Sequence, residues 1–102
     1  MKIRATREYV SKYPLDIFNI SKEFDCTVIP VKGMMFTDVG LVKEGVIESV
    51  EIVKVEISPS EDKYYITLKQ DEQHYSRDEL EQKFKNMTAD RWEYLEEQFL
   101  RF

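Results

Sequence analysis

Residues 46–69 read VIESVEIVKVEISPSEDKYYITLK, two β-branched runs either side of a polar, turn-rich loop. A chain with period-2 alternation over that length buries one face by pairing as strands, which predicts an antiparallel hairpin. In the first run Val53, Val55 and Ile57 alternate with Lys54 and Glu56, while Val50 and Ile52 are apolar in the opposite phase. A change of phase near Ile52–Val53 predicts either a β-bulge or burial on both faces. In the second run Tyr64, Ile66 and Leu68 share one face, opposite Tyr65, Thr67 and Lys69. Upstream, CTVIPV (26–31) reads as a short strand that Pro30 confines to an edge or an end. A further hairpin is expected to turn at Glu44-Gly45, where glycine takes positive φ without steric cost.

Downstream the period changes from two to that of a helix. With Ser76 as N-cap, Glu79 falls at N3, the capping box in which each side chain satisfies the other residue's backbone donor. Tyr75 and Leu80 then occupy the positions of a hydrophobic staple, and Leu80, Phe84 and Met87 form an apolar stripe. Glu79–Lys83 and Glu81–Lys85 are i,i+4 pairs in the favourable orientation. Thr88 is expected to cap a final helix over 89–102, with Trp92, Leu95, Phe99 and Phe102 buried. At the N-terminus a helix over 14–24, with Leu15, Phe18 and Phe24 inward, competes closely with a strand over MKIRATREYV that puts Ile3, Ala5 and Tyr9 on one face. The helix is preferred. The expected fold is therefore α+β: three or four antiparallel strands from the middle of the chain, packed by two C-terminal helices and an N-terminal helix.

At 102 residues the chain is expected to form one domain, residues 1–102, with one modest core. Thirteen aromatics argue against disorder. No apolar run has membrane-spanning length, and MKIRATREY lacks the apolar segment of a secretory signal. The lone Cys26 fits a reducing compartment, so a cytoplasmic location is expected, with Cys26 a buried structural thiol. Net charge is −5. Residues 1–50 hold seven basic and seven acidic side chains, residues 51–102 eight and thirteen, so all the excess lies in the second half. Without a Lys/Arg cluster, direct nucleic-acid binding is not expected.

His74, the only histidine, sits among Asp71, Glu72, Asp78, Glu79 and Glu81. Most of these acids already have helix-start roles, and DEQH offers an irregular ligand set at best, so His74 reads as a surface residue and no metal or cofactor is expected. Nucleotide-binding, zinc-protease and serine-hydrolase signatures are absent. An enzyme using Cys26 or His74 is the weaker alternative, and a homo-oligomer subunit is another. The preferred reading is a non-enzymatic interaction module. On a helix over 89–102, Asp90, Glu93, Glu96 and Glu97 fall on one arc with Leu100 among them and Tyr94 beside it, and none has an i,i+4 lysine. Such a face suits a basic protein partner. Short, acidic and nearly free of alanine (only Ala5 and Ala89), the chain resembles in general character the accessory proteins of phages and mobile elements of AT-rich bacteria. Many of those are inhibitors of host enzymes, anti-CRISPR and DNA-mimicking proteins among them. The resemblance implies an inhibitor of a basic, nucleic-acid-binding host protein, and it assigns no residues.

Overall fold

The computed structural model describes residues 1–100. It is mostly strand. β1 (Lys2–Ser11) and β2 (Asp16–Asp25) form a long antiparallel hairpin around a tight turn containing a cis Tyr13–Pro14 bond. β3 (Met35–Phe36) is short, and β4 (Val42–Lys43) pairs with β5 (Val46–Ile47) in a separate small hairpin. β6 (Val50–Ser58) and β7 (Lys63–Leu68) form the second long hairpin, β8 (His74–Tyr75) follows, and α1 spans Arg77–Thr88. The strand order is β2-β1-β7-β6-β3, with β8 extending alongside β1. β1 pairs parallel to β7 and β8, so the sheet is mixed.

This corrects the expected fold class. The sheet has six strands rather than three or four, and it is not wholly antiparallel. One α-helix packs against it instead of three. The stretch 14–24 is the end of a turn and most of β2, because Phe18 and Ile20 alternate inward against exposed Ile17 and Asn19. Period two overrode the i,i+3 spacing of Leu15 and Phe18, and Leu15 is exposed in the turn. CTVIPV forms no strand, although Met35–Phe36 beyond it does.

Several local expectations hold. The register between β6 and β7 shifts between Ile52 and Lys54, the first of the two outcomes that the phase change allowed. Glu44 and Gly45 both take positive φ (53° and 79°) in the β4–β5 turn. Ser76 and Glu79 complete the capping box, and Leu80, Phe84 and Met87 are buried. Lys85 pairs with Glu81 at 3.3 Å. Lys83 does not pair with Glu79; it turns inward, over the rings of Tyr9 and Tyr75. Replacing Ser76 with alanine removes one side of the box and should lower stability by about 1 kcal/mol. Chemical denaturation measures this, and an unchanged midpoint would show the box to be ornamental.

The inner sheet face carries Ile3, Ala5, Tyr9, Phe18, Ile20, Ile52, Ile66 and Leu68 in one core with Leu80 and Phe84 of α1. The expected final helix over 89–102 is absent from its described part, residues 89–100. Thr88, its expected cap, is the last residue of α1, and Arg91 reverses the chain at φ 70°. Glu93 then pairs with Ser21 through both backbone groups (2.7 and 2.9 Å), adding a short extended segment to the β2 edge. A single 3₁₀ turn follows over Glu96–Phe99. Trp92 and Phe99 are buried as expected, but Leu95 is exposed, and Phe102 lies outside the described residues. No helix among the described residues is long and apolar enough to cross a membrane.

Candidate functional site

Two places concentrate chemistry-bearing side chains. The first is a polar cluster where the β4–β5 hairpin meets the sheet. Arg7 enters from β1, where alternation turns it inward between Ala5 and Tyr9. Its guanidinium donates to both Glu48 carboxylate oxygens (2.9 and 3.3 Å), to the Tyr9 hydroxyl (3.3 Å) and to the Lys69 carbonyl (3.0 Å). Asp71, just after β7, is fully buried and accepts from the Tyr75 hydroxyl (2.6 Å), the Gln73 N–H (2.9 Å) and Lys43 Nζ (3.1 Å). Lys83 of α1 completes the cluster by donating to the Val42 carbonyl at 2.9 Å.

Electrostatics follow from this geometry. Burial works against the Asp71 charge, but the Tyr75, Gln73 and Lys43 donors hold its pKa below the usual aspartate value. Burial and then the Asp71 hydrogen bond and charge push the Tyr75 hydroxyl up. Burial takes the Tyr9 hydroxyl to about 12 against the opposing pull of Arg7. Burial also lowers the Lys83 pKa, with Asp71 and Glu48 opposing that shift. A groove opens beside Arg7, Lys43, Glu48 and Asp71. Glu48 and Asp71 already neutralise Arg7 and Lys43 there, which works against an incoming anion. The cluster fastens the small hairpin to the sheet. Sequence reading missed Arg7, Lys43, Glu48 and Lys83 as a group, because they come from four separate segments.

The second place is the C-terminal segment. Asp90 is half-buried after α1, in a groove shared with Lys2, Lys22 and Arg91. Glu93, Tyr94 and Leu95 line a different groove, with Arg4 and Gln98. Glu96 and Glu97 are exposed on the 3₁₀ turn, and Leu100 is exposed just after it. The single arc expected of these residues therefore does not exist, and Asp90 stands apart. Glu93, Glu96 and Glu97 are nevertheless solvent-facing, with no ion pair among the described residues. Tyr94 is half-buried, its ring edge-on to Phe84 and Phe99.

Cys26 and His74 are not brought together. Cys26 follows Asp25, which pairs with Lys2, whereas His74 pairs with Val10. Eight residue steps along β1 separate those positions, about 26 Å at ~3.3 Å per step. Cys26 is half-buried, with its Sγ accepting from the Val28 N–H at 3.4 Å. His74 is exposed and Asp71 points inward, so DEQH does not converge on a point. Comparison with protein-family models, with curated proteins and with solved structures finds no match for the chain.

Proposed function

We propose that the chain is a non-enzymatic protein-interaction module whose C-terminal segment engages a basic protein surface. The observation that carries this reading is the segment's construction. Leu95 and Leu100 are 71% and 69% exposed, and in the chain they bracket the exposed carboxylates of Glu96 and Glu97. The same segment is held rigidly from behind. Phe99 stacks on Phe18 at 4.6 Å, and the Arg77 guanidinium donates to the Phe99 carbonyl at 2.7 Å. The Gln98 amide accepts from the Asn19 N–H (2.9 Å) and donates to its carbonyl (3.0 Å). Apolar contact beside exposed charge on a preordered support costs little conformational entropy on binding. The partner chemistry is a Lys/Arg-rich surface such as a nucleic-acid-binding enzyme presents, and inhibition of that enzyme is the resulting activity.

Reversing Glu93 and Glu97 to lysine tests this. Both are exposed, so stability should move by no more than about 0.5 kcal/mol. Wild-type protein as bait in its host extract should retain a basic partner that added salt releases, and the double reversal should lose it. Equal recovery of the same partners by both baits would sink the reading.

A further inference from the structure

The two edges of the sheet are treated differently. The β2 edge is covered by the Ser21–Glu93 backbone pair and by the Gln98 amide on Asn19. The opposite edge is β3 where it pairs with Val50 and Glu51, and β6 itself beyond that. There the Ile52 N–H donates to the Met34 carbonyl and the Ile52 carbonyl accepts from the Gly33 N–H, both at 2.8 Å. β3 pairs only with Val50 and Glu51. From Val53 to Ser58, no described strand or loop pairs with the side of β6 turned away from β7. An open row of backbone donors and acceptors is a template for another strand.

We propose that this edge pairs with the same edge of a second copy, antiparallel about a two-fold axis through Val55. The side-chain pattern selects this occupant. In that register Lys54 lies opposite the second copy's Glu56, and Glu56 opposite its Lys54, giving two cross-strand ion pairs from one strand. Val53 meets the second copy's Ile57, a side chain that is 60% exposed in the single chain. Lys54 and Glu56 now pair with each other along the strand at 3.3 Å, with side chains 63% and 60% exposed, so exchanging that contact costs little. A row of like charges would repel a second copy. A plus–minus pair flanking a central valine is self-complementary about one axis only, so it closes a dimer rather than seeding a fibre. The paired strands are short, which places the dimer among weak, concentration-dependent associations.

Sedimentation velocity of the full chain over a concentration series tests the proposal. The wild type should rise from 12.2 kDa toward twice that mass. Lys54→Glu and Glu56→Lys each replace two attractive pairs by two repulsive ones, and should weaken the dimer at least about tenfold. An equimolar mixture of those two variants should dimerise again, because the first then presents a carboxylate at both positions and the second an ammonium at both. The double exchange should behave as wild type, and unchanged circular dichroism would show that all variants fold. A wild type that stays at monomer mass throughout overturns the proposal. So do single reversals that dimerise as well as wild type, or a mixture that fails to recover.

Discussion

Replacing Trp92 with alanine should cost about 3–5 kcal/mol and lower the melting temperature by roughly 15–25 °C. Trp92 is among the largest fully buried side chains, and it fixes where the C-terminal segment leaves α1. Its indole N–H donates to Asp38 Oδ2 at 2.8 Å, while Lys22 Nζ holds Oδ1 at 2.6 Å and the Gly40 N–H caps Oδ2 at 2.9 Å. Truncation would leave a cavity and remove one donor from a half-buried carboxylate at the same time. Trp92→Phe keeps most of the apolar volume and should cost about 1–2 kcal/mol, largely the lost hydrogen bond. Gly40 gives an independent reading of the same contact. A Cβ there would lie 2.5 Å from Trp92 Nε1 and 2.6 Å from Cδ1, so Gly40→Ala should be destabilising by about 1–3 kcal/mol through overpacking. Trp92 is the only tryptophan, so unfolding is best followed by circular dichroism. A Trp92→Ala midpoint within a few degrees of wild type would mean that the segment is not anchored there.

What could be read from the sequence was local. The capping box, the Glu44-Gly45 turn and the bulge at Ile52–Val53 each depend on neighbouring residues, and each is present. The two helices that failed were decided by strand pairing with partners outside each segment. Phe18 and Ile20 satisfy a strand as well as a helix, and β1 settles the matter by pairing along all ten residues. Trp92, Leu95 and Phe99 have helical spacing, but the β2 edge takes up the backbone of Glu93, and a bond to an open edge outweighs weak helix propensity. With that helix went the arc of Asp90, Glu93, Glu96 and Glu97. The polar cluster was illegible for the same reason. Arg7 reaches Glu48 across 41 positions and Lys69 across 62. An arginine among alternating apolar residues of β1 was the one available hint: a charge at an inward strand position must find a partner.

Replacing Asp71 with asparagine should cost about 2–3 kcal/mol at neutral pH and flatten the acid limb of the stability curve. Asparagine keeps the shape but loses the charge that holds Lys43, and its amide directs hydrogens where the Tyr75 hydroxyl and the Gln73 N–H also need an acceptor. Lys43 is about one-third exposed and can turn to water, so the loss should fall below that of breaking a wholly buried pair. The pH dependence follows from the direction of the shift. Asp71 titrates lower in the fold than its usual value of 3.8, so on acidification the unfolded chain takes up this proton first. Its contribution is fully present above that range and is lost as pH falls through the depressed folded value. The wild type should therefore weaken steeply below about pH 4, and Asp71→Asn should weaken less over the same interval. Some slope should remain, because Asp38 is also held below its usual value by Lys22, the Gly40 N–H and Trp92 against its burial. Tyr75→Phe separates charge from hydrogen bonding. It removes one donor to the carboxylate, so the Asp71 pKa should rise towards the ordinary value and the acid slope due to Asp71 should shrink, ending at higher pH than in the wild type. Denaturant titrations at a series of pH values measure all three proteins. If Asp71→Asn matches wild type in both midpoint and acid slope, the cluster does not hold the β4–β5 hairpin to the sheet.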